Sequence, residues 1–533
     1  MPNIKTFLRV LPIQAPRVQL QKLVANNLAG GMDTLTSSVD LDNSQFVSLQ
    51  NIRNLKDSVV DRDGSAFYTP LKPDSLTVLG FFSYIKNDGT VKLLRFTPSS
   101  IFLSQASSWL AITGASLTGG LNDWINVIVA NDRCFFTNNG VDVIQEFLPA
   151  TNTVAVLGDA PKYKYVTAFG DRLVGFNLAG ASPNASQVGW CGNLNYPEWN
   201  SITDQTSGFQ TLENSSSDLT DPGTGIFSLS NTMILVRERS IWEATTTGSF
   251  SQPFSFYTLI PGVGSDSPRT IKRIPNGIAF LDSRTRNVYT YTISAGYTRG
   301  SIASIGDPIK DDLLLNISDP VTVFAEYNVQ SQEYMISIPN STTNITKVWK
   351  YSFLYKTWSF DYYPNLTSMD VLDFASGTLD YADLTGSYSG LIGTYASLGA
   401  VAVPIVTKFL GYSSGELSYE KLNTDFDAFG GVITKDRVTK DFEIPSNDMY
   451  LAEFRLEYDC IVGGSFNVYY SKDSGTTWYL YNTTSSVAGV GLLYKVKKQL
   501  KTRKVRFQIV NTSGIFKFKE YELWVSPGAD SRS

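Results

Sequence analysis

Short apolar runs separated by polar turn residues recur along the middle of this chain. The clearest stretch holds runs at 225–229, 233–236 and 240–244, then a second set at 268–271, 277–282 and 287–291. Runs of four to eight residues rich in β-branched and aromatic side chains, bounded by Gly, Asn, Asp and Ser, predict strands. The units that contain these two sets begin near Thr224 and Pro268, 44 residues apart, which is the size of one β-propeller blade.

The same unit can be followed from residue 76 to about residue 430. Its spacings are 45, 41, 62, 44, 53 and 45 residues, and they average about 48, close to the usual propeller repeat. The 62-residue unit holds an insertion at 201–221, rich in Ser, Thr, Asp and Gly, which we expect to be an exposed loop. The pattern predicts a β-propeller of six or seven blades over 76–430. The candidate units begin near Leu76, Leu121, Lys162, Thr224, Pro268, Val321 and Leu366.

Residues 1–75 form an N-terminal arm and hairpin that differ from the repeat. Pro12 and Pro16 interrupt an extended arm. Asp42 or Ser44 caps a predicted short helical turn over 44–51. The segment 51–64 predicts a hairpin that an Asp-Gly turn closes.

A different module begins at about residue 435 and runs to 533. Strand-like runs at 450–458, 465–470, 504–510 and 516–525 alternate apolar and polar residues, as strands do in a sheet with one wet face. The module of about 95 residues fits a small β-sandwich.

The composition agrees with an all-β chain and narrows the possible chemistry. Of the 533 residues, 42% are hydrophobic and 17% charged, with 31 Phe, 28 Tyr and 9 Trp. These aromatic residues favour strands. The net charge of −5 argues against a general affinity for nucleic acid. There is no histidine, so the most common general base and metal ligand near neutral pH is missing.

The three cysteines and the first residues of the chain limit the possibilities further. Cys134, Cys191 and Cys460 lie far apart, which is neither a disulfide framework nor a metal-ligand spacing, so we expect buried free thiols. The start of the chain has no signal-peptide apolar region, and no apolar run approaches membrane-spanning length. We expect a soluble protein made in a cytoplasm.

Residues 411–415 read Gly-Tyr-Ser-Ser-Gly and match the nucleophile elbow of serine hydrolases. That motif needs a strand–turn–helix context and a histidine that deprotonates the serine. Because the chain has no histidine, we interpret the segment as a hairpin turn.

Residues 471–478 read Ser-Lys-Asp-Ser-Gly-Thr-Thr-Trp and resemble the Asp-box of sialidases and other β-proteins. In an Asp-box the carboxylate accepts hydrogen bonds from nearby backbone N–H groups and the Trp packs beneath the turn. The chain has a single box, and it lies outside the predicted propeller. We interpret it as a fastener of a β-hairpin.

Two other charged features have structural interpretations. Seven basic residues within 495–506 could contact phosphate groups, but no stacking aromatic pattern accompanies them. A solvated hairpin, or a patch that faces an acidic neighbouring subunit, explains them better. The basic residues are Lys495, Lys497, Lys498, Lys501, Arg503, Lys504 and Arg506.

Two pairs of aspartates resemble parts of a calcium-binding loop. Asp40 and Asp42, like Asp61 and Asp63-Gly64, lack the full ligand set of such a loop, and turns explain them better.

Three segments carry a resemblance to a known family. The first runs from Gln45 through Asn51-Ile52-Arg53 to Val59 and Arg62-Asp63-Gly64, the second is 190–199, and the third is 234–242 together with 277–282. They resemble segments of the tail nozzle proteins of short-tailed bacteriophages, also called tail tubular protein B or head-to-tail stabilisation protein. In the second segment Asn195-Tyr196 stands where that family has an acidic turn. Arg503, Arg506-Phe507 and 520–523 are also similar to the family's ending.

The resemblance implies a structural virion protein without catalytic, cofactor-binding or metal-binding residues. It implies a propeller-bearing subunit of a ring, usually a homohexamer, in the virion tail below the portal and adaptor. Double-stranded DNA would leave through the ring without specific binding. Residues 1–75 would contact a neighbouring subunit or the adaptor, and tail fibres or other tail proteins would be further partners.

Two other classes of function stay open. The Asp-box and the aromatic content suggest a receptor-binding or glycan-degrading tail protein, and the propeller alone would suit an interaction scaffold. A glycanase would place paired carboxylates about 5–9.5 Å apart in a pocket. A nozzle would instead show a large subunit interface and a central channel.

Overall fold

The computed structural model of the protein describes residues 21–25, 27–68, 71–105, 108–114, 117–213, 221–229, 231–293, 300–374, 405–429, 431–443 and 449–527. The predicted arm with Pro12 and Pro16, and residues 375–404 of the last predicted unit, lie outside these residues. The regular structure described is almost entirely β. Within the described ranges the helical elements are one α-helix, Lys310–Asn316 (α1), and the 3₁₀ turns Pro268–Thr270, Asp307–Ile309 and Pro320–Thr322.

Five short strands come first along the described chain, and they serve two different parts of the molecule. The first, second and fourth strands pair with strands of the C-terminal module, whereas the fifth pairs with the propeller. These strands are Gln21–Ala25 (β1), Phe46–Gln50 (β2), Ile52–Asn54 (β3), Val59–Asp61 (β4) and Gly64–Phe67 (β5).

Five four-stranded antiparallel sheets follow, each built from consecutive strands. The first sheet consists of Gly80–Ile85 (β6), Val91–Phe96 (β7), Ile101–Ser104 (β8) and Trp109–Ala111 (β9). The second consists of Ile125–Ala130 (β10), Arg133–Asn138 (β11), Gln145–Leu148 (β12) and Thr153–Val156 (β13). The third sheet consists of Tyr163–Phe169 (β14), Arg172–Leu178 (β15), Asn184–Trp190 (β16) and Gly208–Thr211 (β17). The fourth consists of Gly223–Leu229 (β18), Thr232–Arg237 (β19), Ser240–Thr246 (β20) and Phe254–Pro261 (β21). The fifth is Lys272–Ile274 (β22), Gly277–Asp282 (β23), Asn287–Thr292 (β24), Ser301–Ser304 (β25).

Two further sets of strands complete the propeller. One set continues into a large sheet, and the other is closed by the N-terminal strand β5. Because β5 precedes the first blade in sequence, the two ends of the propeller share one sheet and the ring is held shut. The sets are Phe324–Asn328 (β26), Glu333–Asn340 (β27), Ile345–Ser352 (β28), Thr357–Pro364 (β29), and Leu366–Phe374 (β30), Ile405–Tyr412 (β31), Leu417–Lys421 (β32).

The predicted unit starts agree with these strands. Each predicted start lies within four residues of the first residue of an inner strand. The predicted and observed starts are Leu76 and Gly80, Leu121 and Ile125, Lys162 and Tyr163, Thr224 and Gly223, Pro268 and Lys272, and Val321 and Phe324. The last predicted start, Leu366, is the first residue of β30.

Alternation along the buried strands builds the cores between blades. In β19, Met233 and Leu235 pack against the preceding blade, whereas Ile234 and Val236 pack against the following one. All four side chains are buried, because successive residues of a strand point to opposite faces and both faces of a blade are covered. Each such side chain contributes about 1.5–3 kcal/mol by leaving water. The run of four apolar residues from Met233 to Val236 therefore reflects the burial of both faces of the blade.

The C-terminal module is a β-sandwich, as predicted, made largely by two long bent strands. β37 pairs with β40 along most of its length and bends where Gly463-Gly464 shift the register. Phe454, before the bend, stacks on Phe507 at 4.5 Å between ring centres, so the two halves face each other across a core. The remaining strands of this region are Phe426–Asp427 (β33), Gly431–Val432 (β34), Lys435–Thr439 (β35), Phe442–Glu443 (β36), Met449–Ser471 (β37), Tyr479–Ser486 (β38), Gly489–Thr502 (β39) and Lys504–Pro527 (β40).

Three local predictions need correction. The predicted helical turn over 44–51 is the strand β2, because its backbone pairs with β35, and tertiary pairing overrides a short local signal. The hairpin of β3 and β4 turns at Leu55–Ser58 and not at the Asp-Gly pair. The predicted insertion at 201–221 contains the outer strand β17 of its blade, and its residues 214–220 lie outside the described part.

Candidate functional site

The inner strands of the propeller surround a central cavity of about 740 Å³, within the size range of small-molecule sites. It is lined by residues in or next to β6, β10, β14, β18, β22, β26 and β30. One strand from each of the six four-stranded sheets, and β26 of the large sheet, therefore face the same space. The sequence patterns predict no binding or catalytic residue at this cavity.

Charged side chains occupy the side of the cavity formed by β22, β26 and β30. Lys272 Nζ donates to Glu326 Oε2 at 2.7 Å, and Asp370 lies on the next inner strand. Burial, together with repulsion from Glu326, holds the pKa of Asp370 well above its usual range. Burial disfavours the Lys272 ammonium, but the two carboxylates outweigh it and raise the pKa of Lys272. The side therefore holds one ion pair and one further carboxyl group whose charged form is disfavoured by burial and by Glu326.

Two arginines also line this side. Arg269 donates from Nη2 to the Thr367 carbonyl at 3.0 Å, and its guanidinium lies 4.8 Å from the centre of the Phe324 ring. Burial lowers the pKa of Arg269 to about 10, so it stays charged at neutral pH. Arg273 is exposed, and it has no hydrogen-bond or ion-pair partner among the residues that the structure describes. The cavity thus offers a cation that is free to meet an anion.

The opposite side of the cavity is aromatic. Phe82 belongs to β6, Trp124 directly precedes β10 and Phe227 belongs to β18, and all three line the cavity while half-buried. Phe82 and Phe227 pack against cores to which their own blades contribute, whereas Trp124 packs against the core between the third and fourth blades. These contacts hold each ring in place. The cavity has one charged wall and one aromatic wall.

Sequence reasoning missed this site because the charged residues lie about 45–55 residues apart in short inner strands. Glu326 follows Phe324-Ala325, Asp370 follows Met369, and Lys272 follows Ile271. One sequence signal could have revealed these residues: in successive units, a charged residue stands at the same place in the apolar first strand. Such a residue needs a partner or a function, because an unpaired buried charge is costly.

The Asp-box lies where predicted, between β37 and β38, and it is a hairpin turn. Asp473 Oδ1 accepts from Thr477 N at 2.8 Å and from Ser471 Oγ at 2.6 Å. These bonds, the Ser471 one first, lower the pKa of Asp473 to about 2. Trp478 is only half-buried, so it covers the turn less completely than predicted.

The serine-hydrolase look-alike is also a hairpin turn, as predicted. Gly415 N donates to the Tyr412 carbonyl at 3.1 Å, and Tyr412 N donates to the Glu416 carbonyl at 3.1 Å. Ser413 is exposed on this turn. No helix follows the turn: the chain goes directly into β32.

The basic run of 495–506 is divided between two environments. Lys495 and Lys497 are exposed on β39, which pairs only with β37 among the described strands, and charged side chains on an edge strand discourage pairing with other chains. Arg506 is buried and forms two hydrogen bonds with Asp441, at 2.9 and 2.7 Å. None of these residues lines the central cavity.

The first segment of the resemblance lies at the junction of the propeller and the sandwich. Arg62 is buried and donates to Asn51 Oδ1 at 3.0 Å and to Asp427 Oδ1 at 3.0 Å. Its neighbour Asp61 accepts from Arg437, and also from Phe516 N at 2.8 Å. Two consecutive charged residues therefore bind opposite parts of the molecule.

The other two segments join neighbouring blades. Tyr196 accepts from Asn131 Nδ2 at 2.6 Å and lies 5.0 Å from the Arg133 guanidinium, which links the second and third blades. Arg237 is buried and donates to Ser186 Oγ at 2.6 Å and to the Leu212 carbonyl at 3.1 Å, which links the third and fourth. These segments are structural.

The cysteines are free and buried, as expected. Burial raises the pKa of both Cys134 and Cys191 to about 12, so neither thiol is reactive at neutral pH. Within the described ranges no group of three or more Cys, Asp or Glu side chains could hold a metal ion. No helix of the described part is long and apolar enough to cross a membrane.

Comparison with known proteins gives a likeness of fold only. No family model matches the chain, and no curated protein matches it. Among solved structures, the extracellular domain of a protein assigned to the hybrid two-component systems of B. thetaiotaomicron has a TM-score of 0.41 and 8% identity, covering 73% of this chain. The chain spans 44% of the length of that structure.

Two other solved structures are similar over part of the chain. An exo-β-1,3-galactanase from Phanerochaete chrysosporium has a TM-score of 0.25 and 10% identity, over 67% of this chain and 94% of its own. A protein assigned as a 6-phosphogluconolactonase from Bacteroides uniformis has a TM-score of 0.33 and 10% identity, over 53% of this chain and 82% of its own. The strand pairing of this chain itself defines its class, an all-β propeller with a C-terminal β-sandwich.

Proposed function

We propose that this chain is a structural subunit of a bacteriophage tail, forming a ring-shaped nozzle below the portal and adaptor through which the genome leaves. It would be made in the host cytoplasm and act in the virion. The ring would be a homohexamer in contact with adaptor and portal-side proteins, and with tail fibres or other tail proteins.

The observation that supports the proposal most is the structural role of the matched segments. Asn51, Arg62, Tyr196 and Arg237 are buried and hold blades to each other or the propeller to the sandwich. Two chains with the same architecture are expected to share residues of this kind. Replacing a buried charge that is hydrogen-bonded is strongly destabilising. This supports a likeness of the whole architecture to the nozzle family.

The charge balance suits a conduit that releases DNA. Duplex DNA carries one negative charge per roughly 1.7 Å, and each phosphate that Lys or Arg neutralises strengthens binding. A lumen lined by cations would hold the genome. The chain has 49 acidic and 44 basic residues, so a neutral or acidic lumen is available. We expect 495–506 to lie away from the lumen, at a contact with another subunit or partner.

The affinity of the assembled protein for linear duplex DNA tests this reading. We expect a Kd no tighter than about 10 μM at roughly 150 mM salt, the range of non-specific binding. Joint substitution of Lys497, Lys498 and Lys501 by Gln should leave it unchanged. Tight, salt-dependent binding that this substitution abolishes would contradict the conduit.

A glycan-directed tail protein is the second candidate. The observation that favours it is the presence of two carboxylates, Glu326 and Asp370, in the central cavity.

A further inference from the structure

We infer that the central cavity of the propeller is a binding site for an acidic oligosaccharide. The inference goes beyond the proposed nozzle role and does not depend on ring formation, because every residue that carries it belongs to one chain. It rests on the two unlike walls of the cavity, on the hydrogen-bonding capacity left on its carboxylates, and on the free arginine at its surface.

The two walls match the two kinds of surface on a sugar ring. A pyranose has apolar C–H faces and a rim of hydroxyl groups. Phe82, Trp124 and Phe227 supply aromatic surface for the C–H faces, whereas Lys272, Glu326 and Asp370 supply charged groups for the hydroxyls. A mostly apolar cavity with a few convergent polar groups is the usual form of a small-molecule site.

The carboxylates keep capacity for a ligand. Glu326 accepts from Lys272 at Oε2 and from Tyr327 N at Oε1, one bond on each oxygen, and each oxygen can accept a second. Asp370 Oδ1 accepts from Val371 N at 2.9 Å, while its Oδ2 has no hydrogen-bond partner within the described residues. The Lys272 side chain is 34% exposed and that of Glu326 13%, so solvent reaches the pair.

The charges favour a ligand with a carboxylate. Arg269, Lys272 and Arg273 face this space together with Glu326 and Asp370. Three basic side chains against two acidic ones leave this wall with a net positive charge. Lys272 is engaged by Glu326, so the exposed Arg273 is the group positioned to bind the acid of the sugar, and a planar guanidinium binds a carboxylate in bidentate fashion.

The test is a binding screen of the purified full-length protein against immobilised uronate- and sialate-containing oligosaccharides, each beside its carboxyl-reduced counterpart. We expect binding to at least one acidic member and weaker binding to its reduced counterpart. Trp124→Ala and Glu326→Gln should each weaken that binding about tenfold or more. Arg273→Gln, an exposed and structurally safe change, should remove the preference for the acidic form.

Matched controls lie outside the cavity. Trp478→Ala changes a half-buried Trp of the sandwich and Arg239→Gln an exposed arginine of the fourth blade, and both should bind as the wild type does. The inference is overturned if no acidic oligosaccharide binds. It is equally overturned if Arg273→Gln and Trp124→Ala bind as tightly and selectively as the wild type. Either failure leaves ring formation unaffected, so it is distinguishable from failure of the nozzle proposal.

Discussion

Asp436 is a carboxyl group that the fold holds where its charge is unfavourable. Oδ2 accepts from Gln508 Nε2 at 2.7 Å, but Oδ1 is buried without a hydrogen-bond partner among the described residues. Burial raises the pKa of Asp436 to about 6 from its ordinary value of 3.8. The group therefore binds a proton more readily in the folded chain than in the unfolded one.

The substitution Asp436→Asn should change how stability depends on pH. An acid whose pKa is raised by folding contributes most at low pH, and its contribution is lost as pH rises from about 4 to about 6. Relative to wild type, the variant should gain about 1–3 kcal/mol of unfolding free energy between pH 4 and pH 7. Denaturant unfolding across that range measures it, with the exposed Asp40→Asn as control. A difference that stays constant from pH 4 to pH 7 would show that Asp436 is not perturbed.

At the scale of single residues, sequence reasoning found turn residues better than buried charges. The sequence reveals the role of Asp473 because its partners, Ser471 and Thr477, lie within four residues. It places Arg62 only within a predicted hairpin, because the partner Asp427 is 365 residues away. Local hydrogen bonds leave a sequence pattern, and distant ones leave none that a single sequence reveals.

Several residues each make a separate contribution to the stability of the Asp-box turn. Its turn has positive φ at Ser474 and Gly475, and a Cβ on Gly475 would lie 3.1 Å from Arg506 Nη1. Glycine is favoured there because a side chain is strained at positive φ. The carboxylate of Asp473 and the ring of Trp478 hold the turn from its two sides.

Removing either group should destabilise the sandwich, but modestly. Trp478→Ala should cost about 1–2 kcal/mol, below the 3–5 kcal/mol of a fully buried Trp, because its ring is half-exposed. Asp473→Ala should lower the melting temperature without unfolding the chain. Trp358→Ala, at a residue only 1% exposed, is the large-effect reference in the same thermal unfolding series. An unchanged melting temperature for Trp478→Ala would show that the box fastens nothing.

At the scale of elements, the blades could be predicted but their closure could not. Each unit is built from neighbouring strands, so its strands and turns recur as a local pattern. Strand β5 pairs with β32, as in Ser65 with Glu420, across the whole propeller. Gly64 begins that strand in a narrow space, since a Cβ there would lie 2.1 Å from the Phe426 carbonyl oxygen. Only the assembled fold shows why a glycine stands there.

The described part of the molecule is one continuous structure. The blade strand β29 pairs with β2, β2 with β35, and β35 with β40 of the sandwich. A sheet that runs through both parts fixes their relative orientation. A ring subunit needs this property, because a closed ring requires the same rotation at every contact. The continuity was not predictable, because it depends on strands that lie hundreds of residues apart.

The mass and image of the assembled particle test the central claim most directly. Purified full-length protein, alone and mixed with portal and adaptor proteins, would be measured by mass photometry and imaged by electron microscopy. The account predicts a closed ring, with the mass of about six copies of the 58.8 kDa chain and an open central channel, because a heterologous contact that closes gives a ring. A monomer in every assembly state, or an open filament, would contradict it.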